Sequence, residues 1–431
     1  MKIAVCTLGC RTNQFECQAM EKILHGFGHE IVTAEEDADA YIVNSCTVTA
    51  TADKKTRQLI RHLKRLHPTS LVAVCGCMVQ IGEVNAWECG ADLVGGNRNF
   101  QEFAEAVNEA LISRSLPNTT IADETCGFQI LPAGGLSGRT RALLKIEDGC
   151  QNYCTYCIIP YARGPIRSLP PEEAVAQAKL LCDEGFREII LTGIEVSAYG
   201  TDLPNGITLA ELIVRIAEAV PDVRISIGSL KPTVIVEDFC RKVSSLPNFC
   251  RHFHLSMQSG CTATLARMHR HYTADDICDT VARLRRWFDD PNITADIITG
   301  FPGETEAEFE ETLTTLRNCR LGDAHIFPYS IRKGTLAAKM DGQLTIAVKK
   351  ARCTTCIELC AETRNEYLHR QLGTVQTVLM EEGRDGVPGG YTDHYLYVTV
   401  PGAEAALKGS FVQVRITDVS GDHLTAEWIT A

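Results

Sequence analysis

From residue 1 to about residue 335 the chain repeats one pattern: a short, apolar, β-branched run, then a stretch with helical periodicity. The first runs are Ile3–Cys6, Ala40–Cys46, Leu71–Cys77 and Ala91–Gly96, with helical segments around Asn13–Gly26, Ala52–His67 and Asn99–Ser113. Strands this short, alternating with helices, predict a doubly wound parallel sheet covered on both faces. Residues 114–139 lose the periodicity and gather Pro, Gly, Ser and Thr, which reads as a linker or hairpin. The alternation then resumes six times, with runs at 142–147, 188–193, 224–229, 252–257, 295–300 and 324–329. Six βα units predict a barrel or partial barrel whose site lies at the strand carboxyl ends. Residues 345–371 read as one long helix. Beyond Gly373 the period becomes two, in the runs VQTVLMEE, YLYVTV, FVQVRITDV and LTAEWI, which predicts a small all-β barrel. The expected division is therefore 1–113, a linker at 114–139, 140–371 and 372–431.

The chain has 431 residues, 45% hydrophobic and 22% charged, which excludes disordered and collagen-like classes. Such a length predicts two to four domains. No apolar run approaches the ~18 residues of a spanning helix, so no membrane association is expected. No apolar leader follows Met1-Lys2, so the expected location is the cytoplasm. A net charge of −12 argues against a generic nucleic-acid coat protein but leaves room for a local basic patch.

Twenty cysteines in a chain without a leader point to metal ligation or redox chemistry rather than disulfides. Cys150-x3-Cys154-x2-Cys157 follows a predicted strand and the turn Asp148-Gly149. Three thiolates on one loop can hold three irons of a cubane cluster and leave the fourth open. A structural zinc site wants a closed set of four, so the trio is a poor zinc site. Cys353, Cys356 and Cys360 resemble another ligand triplet, yet their spacing is also one face of a helix, and buried core cysteines fit it better. Cys6, Cys17, Cys89, Cys126, Cys182, Cys240, Cys250, Cys261, Cys278 and Cys319 are scattered and read as structural.

The C-x3-C-x-aromatic-C loop resembles the radical S-adenosylmethionine (SAM) signature, and GCQNYCTYCIIPYARGPIRS (149–168) is similar to the methylthiotransferase branch of that superfamily. TLGCRTNQFE (7–16), VNSCTVTATADKKTRQ (43–58) and AVCGCMVQ (73–80) resemble the same family's three N-terminal cysteine motifs. The resemblance covers nearly the whole chain. It implies an N-terminal cluster domain, a central radical-SAM partial (β/α)6 barrel and a C-terminal TRAM-like β-barrel. It further implies two [4Fe-4S] clusters, one on Cys150, Cys154 and Cys157 that chelates SAM, the other on Cys10, Cys46 and Cys77. Each of the latter follows a predicted parallel strand, where a doubly wound sheet places its crevice. Cys75 lies two residues before Cys77 and shares its direction, but sits within the strand. The family's Gly-Cys order selects Cys77.

Carried over residue by residue, Tyr156, Gly193, Glu195, Ser229, Gln258, Ser259 and Arg332 are the implied SAM contacts. Glu195 would take the ammonium and Arg332 the carboxylate, bidentately. Asp296 and the run Gly300–Thr305 match a further family segment, with Thr305 a candidate helix N-cap. Two departures stand out: Lys231 replaces a family Glu after Ser229, and Leu169 replaces an Arg after Arg163 and Arg167.

For substrate, Lys54, Lys55, Arg57, Arg61, Lys64 and Arg65 form a basic helical run that either engages RNA phosphates or is a solvated face. Residues 372–431 hold three Lys/Arg against eight Asp/Glu, a balance of −5, so an RNA contact there would fall either to Tyr391, Tyr395 and Tyr397 or to a basic face hidden in the net figure. The motif wording is most similar to the threonylcarbamoyl-adenosine group. It implies methylthiolation of that nucleoside at position 37 of the tRNA anticodon loop, an electron donor such as flavodoxin or ferredoxin, and a monomer. Isopentenyl-adenosine-37 tRNA and a ribosomal-protein aspartate are the family alternatives. A non-catalytic Fe–S redox or scaffold protein is the reading from another class.

Overall fold

The computed structural model describes residues 1–431 apart from 83–84, 115–126, 137–138, 405–406 and 430–431. Most of the expected linker, and Cys126, therefore lie outside the described residues.

The first sheet contains β1 (Lys2–Thr7), β2 (Glu30–Val32), β3 (Ala40–Ser45), β4 (Leu71–Gly76) and β5 (Leu93–Val94). All pairings are parallel, in the order β2-β1-β3-β4-β5. Alternate residues face opposite layers, as the pleat requires. Ile3, Ile42, Ala73 and Leu93 share a core with Phe15, Met20 and Leu24 of helix Arg11–Gly26 and with Phe100, Phe103 and Val107 of helix Phe100–Ser113. Ala4, Tyr41, Val43, Val72 and Val74 pack on the other side with Ile60 and Leu63 of helix Ala50–Leu66. The sheet is thus doubly wound, and its order reverses beside β1 and β3, where such folds open their crevice.

The central strands are β6 (Arg141–Lys145), then β7 (Glu147–Asp148) and β8 (Arg167–Ser168), which pair as a small antiparallel ribbon, then β9 (Glu188–Thr192), β10 (Arg224–Ile227), β11 (His252–Gln258), β12 (Asn292–Thr299) and β13 (Asp323–Pro328). Two parallel sheets, β6-β9-β10 and β11-β12-β13, meet through a parallel bridge between Leu230 and Leu255. Six parallel strands therefore curve in chain order. Among the described residues β6 and β13 do not pair, which makes the barrel partial. Helix Ile346–Arg370 lies against β13 and buries Cys353, Cys356 and Cys360, as its periodicity predicts. Thr305 caps helix Glu306–Cys319 with its hydroxyl.

The last five strands, β14 (Val375–Arg384), β15 (Val387–Thr392), β16 (Tyr397–Thr399), β17 (Phe411–Ser420) and β18 (His423–Trp428), close a barrel in the order β14-β15-β16-β18-β17. This barrel sits on the amino ends of the central strands. Arg141, which opens β6, pairs with Glu381 (Nε–Oε1 2.6 Å). Arg224, which opens β10, donates to the Tyr391 carbonyl at 3.0 Å, and Asn292, which opens β12, donates to the His394 carbonyl at 2.8 Å. Arg251 just before β11 pairs with Asp393 at 2.8 Å. The position of the tyrosine-bearing strands, under the lumen of the partial barrel, follows from these contacts.

Candidate active site

A cavity of about 770 Å³ runs between all three parts of the molecule. Its walls include Cys10, Cys46 and Cys77 from the first sheet, Cys150, Cys154 and Cys157 from the partial barrel, and Tyr391, Tyr395 and Tyr397 from the closed barrel. Cys75, by contrast, is fully buried inside β4 and does not reach it.

The N-terminal trio is assembled by strand ends. Cys10 follows β1, Cys46 follows β3 and Cys77 follows β4. Gly76 has φ +97°, and a Cβ there would lie 2.4 Å from Asn44 Oδ1 and 2.5 Å from the Ser45 carbonyl. Only glycine lets the chain turn so tightly that the next residue faces the crevice. A Cβ on Gly9 would lie 2.9 Å from Cys46 Cβ, which measures how closely the first two loops approach. Asn13 organises the trio: its Oδ1 accepts from Cys10 Sγ at 3.2 Å, and its amide donates to Asn44 Oδ1 at 3.0 Å.

The barrel trio needs no such assembly, because one loop carries it. Gly149, with φ +104°, packs against the Pro165 carbonyl and launches that loop. Asn152 donates to Cys150 Sγ at 3.3 Å, and Arg270 donates to Cys154 Sγ at 3.3 Å. Tyr156 meets Phe301 edge-on, with ring centres 6.4 Å apart, and Phe301 meets Tyr329 in the same way at 5.3 Å.

Between the trios lies Arg163, which closes the short helix after Cys157 and is fully buried. Its Nε lies 3.1 Å from Cys77 Sγ. Its Nη atoms grip Glu16 and stand 3.5 Å from Asp148. Lys145 adds contacts to Glu16 at 3.4 Å and Asp148 at 3.2 Å, and Arg167 reaches Asp148 at 3.5 Å. Burial alone would raise the Asp148 carboxyl, but the three cations hold it down to about 2. Three basic side chains thus surround two carboxylates, and Arg163 keeps its Nε for the Cys77 sulfur. The sequence had placed Arg163 in a family run without this role. The local signal was Arg163 and Arg167, two basic residues just after the cysteine loop.

The sulfurs suit iron clusters. Burial pushes the thiols of Cys77 and Cys157 up to about 12 and that of Cys150 up to about 11. Such thiols stay protonated unless a Lewis acid takes the proton's place, and a coordinated thiol is deprotonated outright. All six of these sulfur-bearing residues line the one cavity, three from each side. Among the described residues each trio offers three thiols and no fourth, which suits a cubane cluster with one open iron better than a closed four-ligand zinc site.

The implied SAM contacts divide. Tyr156, Gly193, Glu195, Ser229 and Gln258 line the cavity. Gln258 stands at a register shift in β11 with φ +66°, an unusual backbone state that functional sites often retain. Glu195 is already engaged by Lys231 Nζ at 3.1 Å and by the Asn152 amide at 2.6 Å. The departure at Lys231 thus builds an ion pair with the residue expected to bind an ammonium. Gly193 allows the approach of Glu147, whose Oε2 would meet a Cβ at 2.8 Å. The other two expected contacts lie outside the cavity lining. Ser259 is turned out of the cavity, its hydroxyl shared with Thr312 at 3.3 Å and with the Cys261 amide at 3.2 Å, as expected of the residue after a cavity-facing Gln258. Arg332 is also outside the cavity lining. Its guanidinium is held by Asp53 and Thr47 of the first domain, so it ties that domain to the barrel.

Deeper in the lumen, His254 Nε2 and His325 Nδ1 hold opposite oxygens of Asp296 at 3.1 and 3.3 Å. His252 stacks on Tyr395 (ring centres 5.0 Å, 17°), and Tyr395 stacks on Tyr391 (4.9 Å, 25°). Burial pushes His252 down to about 3, so this stack begins with a neutral imidazole. None of these histidines was singled out from the sequence. Their alternation along β11 and β13 was the available signal. On the outer face, Lys54, Lys55, Arg61 and Arg65 are exposed, whereas Lys64 pairs with Asp92 at 2.6 Å.

Comparison with known proteins agrees along the whole chain. Residues 144–316 match the radical SAM superfamily, residues 2–93 the Uncharacterized protein family UPF0004, and residues 369–429 the TRAM domain. A threonylcarbamoyladenosine tRNA methylthiotransferase, MtaB, of Bacillus subtilis is 35% identical over 96% of this chain and 93% of its own. The chain belongs to the radical-SAM tRNA methylthiotransferases. A tRNA-2-methylthio-N(6)-dimethylallyladenosine synthase of Moorella thermoacetica is also 35% identical, over 96% and 95% of the two chains. Among solved structures, the radical S-adenosylmethionine methyltransferase TsrM from Kitasatospora setae aligns with a TM-score of 0.54 at 16% identity, covering 76% of this chain and 74% of that one, a likeness of fold. As a methylthiotransferase of this family the chain acts on tRNA and works with SAM and [4Fe-4S] clusters. Among the described residues no helix is long and apolar enough to cross a membrane.

Proposed function

We propose that this methylthiotransferase converts N6-threonylcarbamoyl-adenosine at position 37, in the tRNA anticodon loop, to its 2-methylthio derivative. The observation that carries the reading is the single cavity into which both thiol trios open. Cys150, Cys154 and Cys157 hold the cluster that binds SAM, and Cys10, Cys46 and Cys77 hold the second. Bound there, these groups supply one-electron chemistry and the sulfur to be transferred. The chain's own residues do the rest. Arg270 and Asn152 donate to Cys154 and Cys150, which stabilises the thiolate form. Arg163 does the same for Cys77. Tyr156, Phe301 and Tyr329 exclude water from the SAM side. Gln258 and Ser229 remain as polar contacts for SAM, while Glu195 offers its carboxylate within the pair with Lys231.

The relatives include enzymes named for both nucleosides, so identity alone does not choose the substrate. The lining supports the threonylcarbamoyl form. His252, His254, Thr294, Asp296 and His325 all face the cavity. These groups partner one another and make a polar wall, to which a threonylcarbamoyl arm offers a carboxylate, a hydroxyl and urea N–H groups and an alkyl substituent offers none. An electron donor of the flavodoxin or ferredoxin kind would feed the clusters.

The test is nucleoside mass spectrometry of total tRNA from cells lacking, then regaining, the gene. The expected outcome is that 2-methylthio-threonylcarbamoyl-adenosine vanishes and returns. If it persists unchanged while the isopentenyl derivative, or a methylthiolated ribosomal protein, follows the gene, the substrate assignment is wrong.

A further inference from the structure

Four arginines line the cavity, and three are committed. Arg270 donates to Cys154 Sγ and, at 3.0 Å, to the Ser256 carbonyl. Arg364 pairs with Asp323, and Arg384 donates to Tyr391 Oη at 2.9 Å while lying 3.6 Å from the centre of the Tyr397 ring. Arg11 is different. Among the described residues it has no hydrogen bond and no ion pair, and its guanidinium lies 5.9 Å from the centre of the Tyr395 ring. Beside it Thr12 also lines the cavity, 1% exposed, and its Oγ1 has no hydrogen-bond partner. A buried hydroxyl left without a partner is rare in folded proteins. A cation and a hydroxyl that line the same cavity, neither with a hydrogen-bond partner among the described residues, are the groups an anion would satisfy.

We propose that Arg11 and Thr12 take the carboxylate of the acceptor nucleoside's N6 arm and so select threonylcarbamoyl-adenosine, a proposal that rests on the substrate reading above. The location fits. Arg11 follows Cys10 directly, and its charge acts on His252 and His325, so it serves the half of the cavity beyond the SAM side. Asp296 is engaged by His254 and His325, and Asp323 by Arg364, so neither carboxylate is open to the guanidinium. An isopentenyl arm has nothing to offer either group and leaves both unpaired on binding.

Arg11 also edges a second groove of about 330 Å³ with Arg139, Arg141 and Lys408, where an RNA phosphate is the other source of an anion. The experiment separates the two. Cluster-loaded full-length protein, wild type and the variants Arg11→Gln, Arg11→Lys and Thr12→Val, is titrated anaerobically with one tRNA in three forms. These carry unmodified, isopentenyl or threonylcarbamoyl adenosine at position 37. Arg11→Gln is expected to weaken the threonylcarbamoyl form by about tenfold to a hundredfold and leave the other two unchanged. Arg11→Lys recovers part of the loss, and Thr12→Val costs several-fold on the threonylcarbamoyl form alone. Equal weakening of all three forms by Arg11→Gln identifies a phosphate contact and overturns the proposal, as does no change in any. Failure of the substrate reading looks different: the wild type itself then fails to prefer the threonylcarbamoyl form.

Discussion

The barrel trio comes from one loop, Cys150 to Cys157, whereas the N-terminal trio is gathered from three loops spread over residues 10 to 77. The first depends on local spacing and on the one turn at Gly149. The second depends on the order of strands in a sheet, because Cys10, Cys46 and Cys77 meet only if β1, β3 and β4 lie side by side. The difference extends to charge. Cys150 and Cys154 receive hydrogen bonds from their own barrel, through Asn152 and Arg270. Cys77 receives its strongest donor from the other domain, through Arg163. The self-contained site thus stands by itself, and the assembled site is completed by its neighbour.

The sharpest way to break this comparison is to delete one ligand from each side. Cys150→Ser should abolish formation of 5′-deoxyadenosine from SAM and dithionite, and with it all product, while iron per chain falls by about half. Cys77→Ser should also stop product formation yet spare deoxyadenosine formation within about a factor of three, since only the second cluster is touched. A Cys77→Ser enzyme that still makes product overturns the ligand assignment. Arg163→Gln tests the dependence of one site on the other. Removing a buried cation from beside Glu16 and Asp148 should cost about 3–5 kcal/mol, read from urea unfolding, and iron loss should fall on the N-terminal site. Equal iron loss from both sites would erase the asymmetry. Gly76→Ala gives the smallest effect, about 1–3 kcal/mol, from a residue forced into φ +97° against Asn44 and Ser45. It should loosen the second cluster without slowing SAM cleavage.

The same contrast governs what could be read from the sequence. The barrel loop was legible because its ligands are neighbours along the chain. Six central strands were legible for a related reason: each is a continuous apolar run. β2 was missed because three half-exposed edge residues carry no pattern, and β15 because Pro388, Gly389 and Gly390 read as a turn. Gly390 is in fact needed inside the strand, where a Cβ would lie 1.9 Å from the Leu379 carbonyl. The placement of Ser259 is set locally, beside a cavity-facing Gln258, whereas that of Arg332 is set at long range by Asp53 in another domain. Arg163 and Asp296 were legible only as members of family segments, and Arg11 and His325 not at all, since their meaning lies in partners, or in the lack of them, far along the chain.

The cavity wall runs from Cys10 to Asp422 and takes residues from both barrels as well as the first sheet. In engineering terms the molecule cannot be shortened at either end. A fragment ending after helix Ile346–Arg370 would keep every cysteine of both trios and still lose the floor made by Tyr391, Tyr395 and Tyr397. The domains are units of folding pattern, but the unit that works is the space they enclose together.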